Sequence, residues 1–357
     1  MMLEQLQRRS ALEPDNQTLQ LNVVAAMARE GRSLELIAPL MDRETWNKAG
    51  EYAQGLAAIE VGRRLGSDWE LSGLRVWSCG IDRCKECGGR GKYWVTAPHR
   101  GPFFCKSCPS HRLATYTHKP SGIEFQLLPG RPPKTVIDVG PEECKLMNWE
   151  ASQVTITDPA KPPFLIARWP VTQSQTINVF VGSKGFLKAE AKYYIGEPQK
   201  GWSFTDTAVW CKRFGLSLPT PSQWGYACKA GSETRFYWGD EFDPSHVWYA
   251  GNSGDEECEH CNGTRESSTG AFYICEYCNE DPRPHASAVH DKAGKWNSFG
   301  LVDCIGNVWE WNDNESFSGF SFRDGKTAIT ARTPMDWRGG DFSNVGFRPI
   351  KTIDWSE

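Results

Sequence analysis

Several absences narrow the class of this 357-residue chain before any motif is read. No run of 18 apolar residues occurs, which excludes a membrane-spanning helix of ordinary length. The opening stretch, MMLEQLQRRSALEPDNQ, lacks the apolar core of a secretory signal, so a cytoplasmic location is expected. Net charge is also scarce, at −4, so bulk electrostatics points to neither a membrane surface nor a nucleic acid. The 13 cysteines are odd in number and cannot all pair within one chain. Eight of them stand in CxxC pairs, which in a cytosolic chain reads as metal binding rather than a disulfide framework.

What is abundant is tryptophan (16), with 34 Gly and 22 Pro. That mixture predicts a loop-rich fold with an aromatic core. The hydrophobic share of 39% and charged share of 24% fit a globular protein, and the length allows two or three domains.

Residues 1–70 are predicted to be helical. Leu19, Leu21, Val24, Ala26 and Met27, then Leu34, Leu36, Ile37 and Leu40, then Tyr52, Leu56, Ile59, Val61 and Leu65 recur at helical spacing. Asp15 is a candidate cap for the first run, Gly31 its stop, and Thr45 a candidate cap for the third. Nothing in this segment carries chemistry, and a helical adaptor is the expectation. Two extended runs follow later, Ile123–Leu128 and Val136–Val139, separated by PGRPP.

Between the helical segment and these runs lies the first of two cysteine clusters. In residues 77–118, Cys84-x2-Cys87 is followed after 17 residues by Cys105-x2-Cys108. In the second, at about 255–282, Cys258-x2-Cys261 is followed after 13 residues by Cys275-x2-Cys278. This is zinc-ribbon spacing. Each CxxC turn offers two thiolates along one edge of a tetrahedron, and the second turn closes it, leaving no position for a substrate. Two structural zinc ions are therefore expected, each contributing on the order of 10 kcal/mol to folding a loop with little core of its own. Arg90, Lys92, Tyr93, Trp94, His99 and Arg100 interleave basic and aromatic residues inside the first cluster, a weak pointer to nucleic acid or peptide. A solvated face over a zinc knuckle is the simpler account of them.

From Gly122 onward the chain reads GIEFQLLPG, FLIARWPVTQSQ, FTDTAVWCKRFGLSLPTPSQWGYACKAG, FYWGDEF, NSFGLVDCIGNVWEW, WRGGDF and SNVGFRP, in that order. These blocks resemble those of the formylglycine-generating-enzyme, or sulfatase-modifying-factor, family over residues 121–357, NSFGLVDCIGNVWEW most distinctively. The resemblance implies an α+β, irregular C-type-lectin-like fold with little regular secondary structure, preceded by the helical segment and a zinc ribbon. In FTDTAVWCKRF a helix is expected over 205–214, with Thr205 or Asp206 as cap, Ala208, Val209, Cys211 and Phe214 on its inner face, and Gly215 as its stop. Trp202, Trp210, Trp224, Trp238, Trp309 and Trp311 are expected to pack rather than bind.

Relatives bind calcium at the turn that corresponds to DCIGNVWEW. Carried over by position, the ligands are the side chains of Asp303 and Glu310 and the carbonyls of Gly306 and Val308, a hard oxygen set. Active relatives also place two cysteines, which bind copper(I), between the GGSW-type turn and the final GFR. Here Gly339-Gly340-Asp341-Phe342 runs almost directly into Ser343-Asn344-Val345-Gly346-Phe347-Arg348, and both cysteines are missing. Iron-using relatives carry a histidine cluster on an added helical bundle, whereas residues 1–70 contain no histidine. Cys211, Cys228 and Cys304 are expected to behave as small buried hydrophobes.

The expectation is a non-catalytic binding or regulatory protein whose partner is a protein, peptide or small ligand, with no membrane contact. The alternative is a metal-dependent oxidoreductase of the same family with a rearranged site involving Glu310, Asp313, His285 and His290. A nucleic-acid role through the first ribbon ranks third.

Overall fold

The computed structural model describes residues 2–13, 16–77, 92–95, 101–104, 111–139, 154–158, 160–180, 196–253, 266–267, 270–274, 286, 296–326, 329 and 342–356. These form two compact units. The first comprises Met1–Pro133, Pro159–Ile166 and Lys351–Glu357, and the second Lys134–Asp158 and Ala167–Ile350. All eight CxxC cysteines, together with Cys79, His285 and His290, lie outside the described residues.

The first unit opens with helices α1 (Met2–Leu12), α2 (Gln17–Arg29), α3 (Ser33–Ile37), α4 (Arg43–Lys48) and α5 (Glu51–Leu65). Leu3, Val23, Val24, Ala26, Met27, Leu36, Leu56 and Ile59 form their common core, so the 3.6-residue periodicity is spent on helix–helix packing. The caps differ from expectation by a residue or more. Asn16 caps α2 by accepting from the Leu19 N–H, while Asp42 caps α4 by accepting from the Thr45 N–H. Thr45 therefore lies inside a helix, and α5 starts from Gly50. Asn16 and Asp42 each place a side-chain oxygen on an N3 N–H, and Asp15 beside Asn16 is a residue type of equal capping quality. Gly31 does end the first run, at φ +70°.

Strands β1 (Trp69–Trp77), β4 (His111–His118), β5 (Ile123–Leu128), β8 (Phe164–Ala167) and β14 (Ile350–Thr352) form one sheet in the order β1-β4-β5-β8-β14. The segment between β1 and β4 carries a hairpin of β2 (Lys92–Val95) and β3 (Gly101–Phe104). β1 pairs antiparallel with β4, Trp69 opposite His118, and β4 with β5, His118 opposite Ile123. That register packs Trp69 on His118 at 4.6 Å and brings its edge to Phe125 at 5.0 Å. The buried Tyr116 hydroxyl donates to the Ala58 carbonyl at 2.6 Å and so ties α5 to the sheet. The helices and the first strands thus fall within one compact unit.

The second unit contains β6 (Lys134–Val139) paired with β7 (Val154–Asp158), helices α6 (Gln173–Phe180), α7 (Phe204–Arg213) and α8 (Pro221–Lys229), and the short pair β9 (Glu266–Ser267) and β10 (Gly270–Ile274). Its last sheet has β11 (Trp309–Trp311) between antiparallel β12 (Phe317–Ser318) and parallel β13 (Val345–Gly346). The molecule is α+β, and much of the described second unit is turn. Ser203, not Thr205 or Asp206, caps α7 by accepting from the Asp206 N–H. The buried face of α7 is Thr207, Trp210 and Cys211, while Val209 is 64% exposed. Gly215 follows at φ +63°. α8 starts at a capping box, Thr220 with Gln223, and Pro221 holds its first turn.

Candidate functional site

The irregular turn between Asp303 and Trp311 positions the polar core of the second unit. Asp303, Gly306 and Asn307 take positive φ values of 53°, 83° and 66°. Glycine is required at 306, because a Cβ there would lie 2.6 Å from both the Trp248 carbonyl oxygen and Val247 Cγ1. The turn is held by its backbone. Gly306 N–H donates to the Gly319 carbonyl at 2.8 Å, Asn307 N–H to the Trp248 carbonyl at 2.7 Å, and Phe322 N–H to the Asn307 carbonyl at 2.9 Å. Asn307 Nδ2 donates to Asp303 Oδ2 at 2.9 Å, satisfying a carboxylate that is almost fully buried.

The turn delivers Glu310 into the core on β11. Parallel pairing puts Gly346 opposite Glu310, and Arg348 follows two residues later. Arg348 Nε donates to Oε2 at 2.9 Å and Oε1 at 3.2 Å, and Nη2 donates to Oε1 at 2.8 Å. Trp224 Nε1, on α8, donates to Oε2 at 2.7 Å. The remaining guanidinium N–H groups reach the carbonyls of Ala167, Arg168 and Val302. All five donors of a buried guanidinium are therefore used. Burial pulls the Arg348 pKa down, but the adjacent Glu310 charge outweighs it, and the net direction is up.

Of the residues expected to hold calcium, Asp303 keeps its carboxylate on the turn, and the Gly306 carbonyl accepts from Val308 N–H at 2.9 Å. Glu310 does not fit the role in this arrangement. Its charge is neutralised by Arg348, and both oxygens already accept N–H donors, so a divalent cation beside it would face a fixed guanidinium. Among the described residues no group of three or more His, Cys, Asp or Glu side chains is arranged to hold a metal ion.

The eight cysteines of the two clusters lie outside the described residues. In the first cluster, Lys92 pairs with Phe104, which immediately precedes Cys105 in sequence. In the second, Ile274 pairs with Glu266 and immediately precedes Cys275 in sequence. In sequence, each cluster therefore brackets an antiparallel strand pair. Of the six basic and aromatic residues singled out in the first cluster, Lys92, Tyr93 and Trp94 lie on β2, and Arg90, His99 and Arg100 lie outside the described residues.

Cys211, Cys228 and Cys304 are free and buried. Cys228, in the last turn of α8, lies against Cys304 on the turn. Its thiol points to the Cys304 carbonyl at 3.8 Å. Burial, with the Cys304 thiol beside it, pushes the Cys228 pKa well up. Asn297 Nδ2 donates to the carbonyls of Ala227 and Cys228 at 2.8 and 3.0 Å and reaches Cys304 Sγ at 3.9 Å. Sequence context marks these cysteines only as separate hydrophobes. Nor does it mark Trp224, Arg348 and Asn297 as polar partners, although WEW, GFR and NSFG stand out as motifs. Asp313, one of the alternative catalytic residues, is exposed, and its N–H donates to the Pro219 carbonyl.

An α+β domain whose closing strand locks a tryptophan-rich turn through a buried Glu–Arg pair defines the class. The family model described as the sulfatase-modifying factor enzyme 1-like domain matches residues 133–351, and the chain belongs to that family. The match begins after β5, later than the resemblance read from Gly122. The chain is 26% identical over 172 residues to a protein of Bacillus subtilis named uncharacterized protein YfmG, covering 43% of this chain and 34% of that one. It is 26% identical over 136 residues to the formylglycine-generating enzyme of Mycobacterium tuberculosis, covering 38% and 40%. It is 28% identical over 117 residues to a Bos taurus protein named inactive C-alpha-formylglycine-generating enzyme 2, covering 32% and 31%. The aligned part thus spans only about a third to two-fifths of these relatives' own lengths. Among the described residues no helix is long and apolar enough to cross a membrane.

Proposed function

We propose that this chain is a non-catalytic binding or regulatory member of the family. The observation that carries the reading is the composition of the closing segment. No cysteine follows Cys304 in the sequence, and the single turn Phe342–Asn344 leads straight into β13. A soft ion such as copper(I) needs two thiolates that a substrate and oxygen can reach. The name of the bovine relative, inactive, is in keeping with this reading. The partner is a protein, peptide or small ligand, and the two four-cysteine clusters each hold a structural zinc that shapes a hairpin for that contact. Four thiolates suit zinc and leave no open coordination position.

The competing reading is an oxidoreductase with a rearranged site. The contact between Cys228 and Cys304 is the one described feature that favours it. Both residues are only 2% exposed, however, so a peptide thiol has no route to them.

Metal analysis of the purified protein, with oxygen uptake measured in the presence of a thiol peptide, tests the proposal. About two zinc per chain, no copper or iron, and no oxygen uptake are expected. Stoichiometric copper, or uptake that depends on the peptide, would establish the oxidoreductase instead. One calcium per chain would mean that the Glu310–Arg348 pair opens in solution.

A further inference from the structure

We propose that the β2–β3 hairpin of the first cysteine cluster is a docking surface for single-stranded nucleic acid, DNA and RNA alike, on which Trp94 and Phe104 stack with bases while Arg90, Lys92 and Arg100 meet phosphates. This goes beyond the binding reading of the family domain and does not depend on it.

The strand register carries the assignment. Taken singly, the basic and aromatic residues of this cluster read as a solvated face. Antiparallel pairing sets Lys92 opposite Phe104, Tyr93 opposite Phe103 and Trp94 opposite Pro102. Residues opposite one another share a face of the ribbon, as do residues two apart along a strand. One face therefore holds Lys92, Trp94, Pro102 and Phe104, and the other holds Tyr93, Val95, Gly101 and Phe103. The second set carries no charge and suits packing. The first joins a cation to two aromatics on a cross-strand diagonal of about 7–8 Å, close enough for neighbouring bases of one extended strand. Among the described strands, β2 and β3 pair only with each other.

Charge selects the partner. From Cys87 to Ile123 the sequence has six Lys and Arg residues and no Asp or Glu, in a chain whose net charge is −4. Positive charge is thus concentrated around this hairpin, and a polyanion gains from it. An acidic peptide would satisfy the charge but offer no flat ring to Trp94 and Phe104. A duplex keeps its bases stacked on one another, whereas a single strand presents both phosphates and open π-faces. The second cluster provides an internal contrast. Its strand β10 also carries aromatics, Phe272 and Tyr273, but residues 255–282 hold eight Asp and Glu against one Arg. That hairpin repels phosphates.

The test is fluorescence anisotropy of the purified full-length protein with a labelled strand of about 20 nucleotides and mixed sequence, made as DNA and as RNA, and with the corresponding DNA duplex. At about 50 mM salt both single strands should bind at least about tenfold more tightly than the duplex. Raising the salt to about 200 mM should weaken single-strand binding about 20- to 50-fold, the change for three or four phosphate contacts. Trp94→Ala should weaken binding about 5- to 150-fold and leave the salt dependence unchanged, and Trp94→Phe should restore most of the loss. Arg90→Gln with Arg100→Gln, which alters neither strand, should weaken binding and lower the log–log salt slope by about 1.4. Tyr273→Ala in the second hairpin should leave the affinity as it was. No single-strand binding at low salt, equal affinity for the duplex, or binding that both Trp94→Ala and the double arginine variant leave unchanged would overturn the proposal. So would salt-sensitive self-association in place of strand binding, which would pair this basic hairpin with the acidic one of a second copy.

Discussion

Arg348 clasps Glu310 through two nitrogens, Nε to Oε2 at 2.9 Å and Nη2 to Oε1 at 2.8 Å, with neither side chain open to solvent. The pair joins the closing strand β13 and the residues after it to β11, and through Trp224 to α8. In the absence of either partner, the other is a buried charge with nothing to balance it.

Breaking this pair should cost more than removing it. Glu310→Gln or Arg348→Met alone is expected to destabilise the domain by about 3–5 kcal/mol, because each strands a buried charge. The double variant should lose less than the sum of the two. Urea unfolding of the four proteins forms the cycle. Additive losses, or single losses below about 1 kcal/mol, would show that the charges are solvated and the pairing has little energetic weight.

Gly306→Ala should be among the most damaging small substitutions. It forces a side chain into a left-handed backbone conformation and into the Trp248 carbonyl and Val247. The strain and the overlap together are expected to cost about 2–5 kcal/mol, read as a fall in the denaturation midpoint. Gly122→Ala is a useful contrast. Its φ is also positive, at +68°, but an added Cβ meets nothing within 4 Å, so the loss should be confined to about 1–2 kcal/mol.

The first unit should weaken in mild acid through His118. Burial against Trp69 and Phe125 holds its pKa below the usual value of 6.5, and Lys351 adds to this while Asp68 opposes it. As pH falls below the unfolded value, the unfolded chain takes up a proton that the folded chain refuses. Stability is therefore intact above that value and declines below it, until the folded pKa is reached. His118→Gln should flatten the difference between urea melts at about pH 7.5 and about pH 5.5. Glu60 behaves differently, with a lowered pKa. Its burial raises the value, but hydrogen bonds from Arg63 and Arg64 outweigh that. Its stabilisation is lost only at lower pH, as the solution falls through the carboxylate range, so the two windows separate.

Zinc content should respond to the clusters independently. Cys84→Ala with Cys87→Ala is expected to lower zinc from about two ions per chain to about one, and the corresponding pair Cys275→Ala and Cys278→Ala should do the same. No loss of zinc from either double variant would mean that the cysteines do not act as two tetrahedral sets.

Much of the fold was legible because its signals are local. Helical spacing in the first 70 residues, the run at Ile123–Leu128 and the glycine stops at 31 and 215 each act within a few residues of themselves. Caps were legible only approximately, because Asn16, Asp42 and Ser203 compete with neighbours of nearly equal quality. The inner face of α7 departs from expectation at Val209, since a β-branched apolar residue on a short helix looks the same in sequence whether it packs or faces water. The motif order from GIEFQLLPG to SNVGFRP pointed to the family, although the matched domain starts eleven residues later than Gly122.

By itself the sequence determined the family and the α+β class, and it offered the two CxxC clusters as candidates for zinc, since each depends on residue identity and spacing. Only the tertiary structure decided that Glu310 would face Arg348 and Trp224, that Cys228 would lie against Cys304, and that the helices and the first strands would share one unit. Those relationships join positions tens of residues apart or more, and the pairing of β11 with β13 and the packing of α8 bring them together. A linear pattern carries no signal of which buried charge or thiol will meet which.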